Sequence, residues 1–152
     1  LIVTYIMKKT GATPDEMDDI MNKQSGMLGV SGISSDARDI EDGCKEGNPA
    51  ALLTAEVYVN RVINVVGGYY AQLGGADAIV FTGGIGENDT NMRKMICDRL
   101  SAAFGIQLDE VLNGKTRGKE VLLSTAESKV AVWLIPTNEE LMIARDTYRL
   151  IA

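Results

Sequence analysis

Three closely spaced glycines, Gly83, Gly84 and Gly86, follow a short apolar run in the middle of the chain. Glycine has no Cβ and tolerates positive φ, so the backbone can turn sharply here and let a ligand come close. The run before them, Ile79 to Phe81, is β-branched or aromatic, which suits a buried strand. Apolar residues recur at helical spacing after them. The predicted order of strand, glycine turn and helix places backbone N–H groups where α/β sheets bind ligands.

The type of ligand is not decided by the glycines alone. No Gly-Lys-Ser/Thr follows them, so the turn is not a Walker A loop. Glu87, Asn88 and Asp89 stand where a dinucleotide fingerprint has its last glycine. Acidic side chains beside a phosphate fit better if the turn mainly touches a nucleoside, or if Mg²⁺ bridges. An ordinary strand-to-helix turn, with acids favoured by the helix dipole, remains an alternative.

Two further segments carry charged side chains at helix starts. Asp36 precedes Ala37 and Arg38 and can cap a helix that ends near Gly43 or Gly47, with an ion pair on its surface as the plain interpretation. Near the end of the chain, residues 137–140 form a predicted capping box in which Thr137 pairs with Glu140. This pairing leaves Glu139 available at the edge of a strand.

Helices and a few strands must position these groups. Helices are predicted over residues 1–9, from Pro14 to about Gln24, from Pro49 to about Gln72, over 91–104 and from 137 to about 150, with residues 25–35 as a loop. Strands are predicted at 79–81, 121–124 and 129–135. In the last helix Leu141, Ala144, Tyr148 and Ile151 form the predicted inner stripe. The pattern predicts an α/β fold with a small sheet covered by helices.

Composition narrows the classes of partner. The chain has 152 residues, 45% apolar and 24% charged, with a net charge of −6 and no histidine. The acidic balance and the lack of a basic run argue against nucleic acid or an anionic membrane surface as a partner. Cys44 and Cys97 have neither zinc nor disulfide spacing, which favours a reducing, cytoplasmic location. The chain starts at Leu1 inside a predicted helix, so we expect a piece of a longer protein.

Residues 81–88, Phe-Thr-Gly-Gly-Ile-Gly-Glu-Asn, resemble the adenosine-binding motif of acetate kinases, members of the superfamily of acetate and sugar kinases, Hsp70 chaperones and actin. Three further segments resemble the same family in the same order: residues 32–39, Arg117-Gly118, and residues 135–141. The resemblance runs along nearly the whole chain. It implies a partial ribonuclease H-like (actin-like ATPase) domain with a small mixed sheet. Residues 1–152 would then be a single domain, the C-terminal part of the second such domain of a longer kinase.

The resemblance also implies an activity, transfer of the γ-phosphoryl group of ATP to acetate. This chain would supply the nucleotide and Mg²⁺ side. The implied nucleotide-binding residues are Asp36, Ala37, Arg38, Gly84, Ile85, Gly86, Glu87 and Asn88, and the implied metal-binding residue is Glu139. The family's acetate pocket and its catalytic histidine and arginines would lie upstream, so no catalytic residue is assigned here. We expect the chain alone to be inactive, since the missing cations are worth about 10³–10⁵ in the rate of phosphoryl transfer.

Two other interpretations stay open. Propionate and butyrate kinases share parts of the pattern, and the residues that would distinguish the acyl acceptor are not in this chain. A non-catalytic nucleotide-binding or dimerisation module is the alternative from another class, because an apolar long helix and a partial sheet both favour a partner. A homodimer is expected on the family resemblance as well.

Overall fold

The computed structural model describes residues 2–151. Two compact units divide the chain, one up to Arg61 and one from Val62 onwards. Within the described residues no helix combines the length and the apolar character that a membrane crossing requires.

The first unit is helical, and local signals set most of its helix ends. Its helices are α1 (Ile2–Thr10), α2 (Pro14–Lys23), α3 (Gly26–Ser31), α4 (Ala37–Lys45) and the first part of α5 (Pro49–Leu73). The predicted capping box before α2 is present, since Thr13 and Glu16 bond reciprocally. Asn48 Oδ1 accepts the Ala50 N–H at 2.9 Å, as expected of a cap before α5. The prediction of a loop over residues 25–35 was wrong for α3, which is a short helix.

The second unit holds the sheet. It contains the end of α5, then β1 (Ala78–Phe81), α6 (Gly83–Asn88), α7 (Thr90–Phe104), α8 (Glu110–Lys115), β2 (Val121–Leu122), β3 (Ala131–Leu134) and α9 (Glu139–Ile151). The strand order is β1-β3-β2, with β1 parallel and β2 antiparallel to β3. This confirms the predicted α/β class with a small mixed sheet.

The core of the second unit includes side chains of β3 and of α7. Val132 and Leu134 point inward from β3 with no exposed area, as the alternation of a half-buried strand requires. On α7 the almost fully buried apolar residues recur at helical spacing: Met92, Ile96, Cys97, Leu100 and Phe104. Gly105 then ends α7 at φ +68, a left-handed conformation that glycine adopts without strain.

Two sequence predictions for this unit fail. Thr137 does not cap α9, because its hydroxyl group donates to Glu87, and the Asn138 side chain instead accepts the Leu141 N–H at 3.0 Å. The predicted inner stripe of α9 is not buried, since every described residue of that helix is exposed. Helical periodicity identified the apolar face of α9, but periodicity alone does not show whether that face is buried.

Candidate functional site

The glycine turn after β1 is itself a short helix, α6, rather than the open turn predicted from the sequence. Gly83 has φ +68, which a side-chain-bearing residue rarely adopts. A Cβ on Gly86 would lie 3.3 Å from the carbonyl carbon of Phe81. Gly83 and Gly86 therefore have two different structural roles. Gly83 allows the chain to leave the strand, and Gly86 lets α6 pack directly on the end of β1.

The Glu87 carboxylate joins α6 to the turn after β3. Its Oε1 accepts the Gly83 N–H at 2.9 Å, the Thr137 N–H at 2.9 Å and the Thr137 hydroxyl at 3.0 Å. Bonds to the charged form favour that form. The Thr137 amide, with Gly83 as a smaller contributor, therefore holds the pKa of Glu87 below its usual value.

An open, polar depression of about 350 Å³ lies between these two segments. One side is formed by Gly83 and Gly84 at the start of α6. The other side is formed by residues 137–140, which include Glu139 and Glu140. Both glutamates are exposed in the first turn of α9. The structure thus brings together the predicted metal residue Glu139 and the first residue of the predicted nucleotide segment, Gly84.

The remaining predicted residues of this segment differ in exposure. Ile85 and Gly86 are half-buried, and Asn88 is exposed at the end of α6. The Asn88 side-chain amide donates to the Gly84 carbonyl at 3.0 Å. This bond closes one turn of the helix within the segment.

Arg93 is the residue that the sequence analysis missed. It lies on α7 with none of its surface exposed. Its guanidinium group donates to the Gly86 carbonyl at 2.8 Å, to the Asn113 side-chain oxygen at 2.8 Å and to the Thr116 carbonyl at 2.7 Å. Arg93 thus connects α6 to α8. A signal was present in the sequence, because Arg93 falls on the same helical face as Ile96 and Leu100.

The environment of Arg93 is unusual for a cation. Burial is the main cause that lowers the pKa of its guanidinium from the ordinary value, with the charge of Arg117 as a further cause. Three backbone carbonyls and one amide oxygen stand in for the water that the charge has lost. Such a buried cation is tolerated only when its donors are satisfied.

The predicted residues Asp36, Ala37 and Arg38 belong to the first unit. Asp36 Oδ1 accepts the Arg38 N–H at 2.9 Å, so Asp36 caps α4 as predicted. The Arg38 guanidinium also binds the same carboxylate, with an Nη2–Oδ2 distance of 2.6 Å. These bonds with Arg38 lower the pKa of Asp36 to about 2. Ala37 is half-buried and Arg38 is exposed, so the pair lies at the surface of α4.

The side chains in the described part of the chain limit how Glu139 could hold a metal ion. Among residues 2–151, no group of three or more His, Cys, Asp or Glu side chains could hold a metal ion. A dedicated protein cage for a cation is therefore not found in this part of the chain. Mg²⁺, however, is usually bound by one or two carboxylates together with phosphates of a substrate. The exposed carboxylate of Glu139 in a polar depression fits that second mode.

Comparison with known families decides where the chain belongs. Residues 1–145 match the profile of the Acetokinase family. The chain is a member of the acetate kinase family. It is 52% identical over 150 residues to an acetate kinase of Treponema denticola, a match that covers 99% of this chain and 37% of that protein. The chain therefore spans a little over a third of the length of the curated relatives it matches.

Solved structures of the acetate kinase family share the fold. The crystal structure of Porphyromonas gingivalis acetate kinase superposes with a TM-score of 0.89 at 44% identity, covering 99% of this chain and 38% of that one. A propionate kinase from Francisella tularensis superposes with a TM-score of 0.83 at 38% identity, covering 94% of this chain and 36% of that one. The α/β fold of this chain is thus that of acetate kinase structures, which have an actin-like ATPase fold.

Proposed function

We propose that this chain is the nucleotide- and magnesium-binding part of an acetate kinase. The observation that carries the proposal is the sequence identity of about one half to acetate kinases. The match covers almost the whole of this chain but only a little over a third of the relative's length. Residues 1–152 are then the C-terminal part of the second ribonuclease H-like domain of a longer kinase. The whole enzyme transfers the γ-phosphoryl group of ATP to acetate and forms acetyl phosphate and ADP.

Gly84 to Asn88 are the proposed nucleotide-binding segment of the second unit. Gly84 carries no side chain and has open space where a Cβ would stand, so a flat ligand can lie against the backbone. Ile85 offers the half-buried apolar surface that suits a base. Arg93 holds this segment by donating to the Gly86 carbonyl.

Asp36, Ala37 and Arg38 are the proposed nucleotide-binding residues of the first unit. The Asp36 carboxylate, kept ionised by Arg38, is suited to accept hydrogen bonds from the hydroxyl groups of a ribose. The Arg38 guanidinium is exposed and can meet a phosphate as a fork. Its ion pair with Asp36 fixes its place while no anion is bound.

Glu139 is the proposed magnesium ligand. Its carboxylate stands beside Gly83 and Gly84 in the depression of the second unit. Bound Mg²⁺ would neutralise charge on the phosphates. The role of Glu139 is to hold the cation by one carboxylate, and the role of the neighbouring glycines is to leave room for the phosphates. No residue of this chain is assigned to the reacting atoms.

The location and assembly follow from the same proposal. Cys44 and Cys97 form no disulfide bond within the described residues, which fits a cytoplasmic enzyme of acetate metabolism. A homodimer is proposed because α5 and α9 carry large exposed apolar side chains, such as Val65 and Ile143.

A propionate kinase is the second candidate, because a propionate kinase structure superposes closely on this chain. The two candidates differ in the acyl acceptor alone. They predict the same nucleotide site in this chain.

Calorimetric titration with MgADP tests the proposed nucleotide-binding residues of the first unit. Asp36→Ala removes the carboxylate and the cap of α4, whereas Asp36→Ser keeps a capping oxygen and loses the carboxylate. We expect both variants to weaken MgADP binding by roughly ten- to hundredfold, the usual range for a hydrogen bond to a charged group. Asp39→Ala, an exposed aspartate on the same helix, is the matched control and should bind like the wild type.

Two results would contradict the assignment. One is equal affinity of both Asp36 variants and the Asp39→Ala control. The other is a wild-type chain with its full helical circular dichroism that takes up no MgADP at millimolar concentration.

A further inference from the structure

The Glu87 side chain lies behind the depression rather than in it. Its two hydrogen-bond partners, Gly83 and Thr137, both line the depression, and Glu87 lies outside the set of lining residues. One oxygen atom, Oε1, accepts all three bonds at 2.9 to 3.0 Å. The three donors come from segments that are far apart in sequence, so this atom is the point at which the two sides of the depression meet.

We propose that Glu87 is a positioning residue whose carboxylate fixes the start of α6 against the turn before α9 and so sets the width of the depression. The inference rests on the proposed function in one respect, namely that the depression takes the nucleotide and its magnesium ion. The positioning itself concerns only residues of this chain. It assigns Glu87 an indirect part in ligand binding, through Gly83 and Thr137.

The backbone of Glu87 is held independently of its side chain. The Gly118 N–H donates to the Glu87 carbonyl at 3.2 Å. Next to it, Arg93 donates to the Gly86 carbonyl at 2.8 Å. Removal of the Glu87 carboxylate should therefore leave α6 in place and remove only the hydrogen bonds from Gly83 and Thr137. A local effect of this kind can be separated from a general loss of folding.

The contact between Glu87 and its partners requires an oxygen atom that accepts hydrogen bonds, and not only a negative charge. Thr137 contributes both its amide and its hydroxyl, and Gly83 its amide. A glutamine at this position retains an Oε1 acceptor at the same distance from the backbone, although a weaker one. An alanine retains none. Glu87→Gln is accordingly the conservative variant that should rescue most of what Glu87→Ala loses.

Amide hydrogen exchange of the ligand-free chain, followed by NMR, tests the positioning directly. In Glu87→Ala we expect the Gly83 and Thr137 amides to exchange roughly three- to tenfold faster, as loss of one hydrogen bond implies. The Gly118 amide should be unchanged. In Glu87→Gln the same two amides should stay closer to the wild-type rates. Glu127→Ala, an exposed acid in the same unit, is the control and should leave all three amides unchanged.

Two exchange results would overturn the inference. Unchanged Gly83 and Thr137 amides in Glu87→Ala would mean that the carboxylate does not hold the turns. Uniformly faster exchange across the whole unit would mean that Glu87 supports the fold in general.

MgADP titration of the same variants connects the contact to ligand binding. Weaker binding by Glu87→Ala with retained binding by Glu87→Gln supports the inference. Equal losses in both variants would overturn it in favour of a direct role of the charge. If the wild-type chain binds no MgADP, the proposed function fails, and the exchange rates still decide whether Glu87 fixes the two turns.

Discussion

Replacement of Arg93 by methionine should destabilise the second unit by about 2 kcal/mol. Methionine has a similar length, so the change removes hydrogen bonds rather than volume. The Arg93 guanidinium makes four hydrogen bonds of 2.7 to 3.2 Å to buried or half-buried acceptors. An orphaned buried acceptor costs about 1 kcal/mol or more. The Asn113 carbonyl still accepts the Thr116 N–H, so three acceptors are orphaned at a cost of about 3 kcal/mol. Relief of the buried charge subtracts about 1 kcal/mol from this cost.

Urea unfolding followed by the fluorescence of Trp133 measures this loss in the relevant unit. Trp133 is the sole tryptophan of the chain and lies half-buried on β3. Arg145→Met is the matched control, since Arg145 is exposed on α9 and exposed substitutions usually stay within about 0.5 kcal/mol.

The interaction free energy between Arg93 and Asn113 is a second quantity that can be measured. In a double-mutant cycle of Arg93→Met and Asn113→Ala, we expect an interaction free energy of about 1–2 kcal/mol, because the two side chains bond directly at 2.8 Å. A loss below about 1 kcal/mol for Arg93→Met, together with no coupling, would refute the view that Arg93 fastens α6 to α8.

Two further predictions concern buried and strained positions of α7 and its end. Burial raises the pKa of the Cys97 thiol to about 12. A disulfide reagent at mildly alkaline pH should therefore modify Cys44 first and reach Cys97 only in denaturant. Because the pKa of Cys97 is higher in the folded state than in the unfolded state, this thiol costs no stability below its unfolded pKa. The free energy of unfolding falls as the pH rises from the unfolded pKa towards 12. Equally fast modification of both native thiols would contradict this. Gly105→Ala forces a side chain onto φ +68, with its Cβ 2.7 Å from Lys129 Cδ. It should cost about 1–2 kcal/mol in the same urea assay, whereas Gly114→Ala, in a helix with open space around it, should be neutral or stabilising.

Helix ends that depend on neighbouring residues could be predicted from the sequence. Thr13 with Pro14, Asp36, and Asn48 each start a helix where expected, because capping uses donors within three residues. The three strands were also identified, since β-branched runs bounded by glycine or proline are local signals. Their order in the sheet was not predicted, because strand pairing depends on contacts between distant segments.

The failures have one common physical cause. Thr137 looked like the cap of α9, but its hydroxyl bonds to Glu87, which lies 50 positions away. Arg93 looked like an ordinary polar residue, but its partners Asn113 and Thr116 lie 20 and 23 positions away. In each case a contact distant in sequence decided the outcome.

The parallel pairing of β1 with β3 has a consequence for how the chain is made. Ala78 aligns with Ala131 across the ladder, so β1 has left the ribosome long before its partner is synthesised. Closing so large a loop delays such contacts relative to helix formation. The Glu87–Thr137 contact spans a similar interval and must wait as well. The helices should therefore assemble during translation, while the sheet and the depression beside it complete only after β3 has emerged.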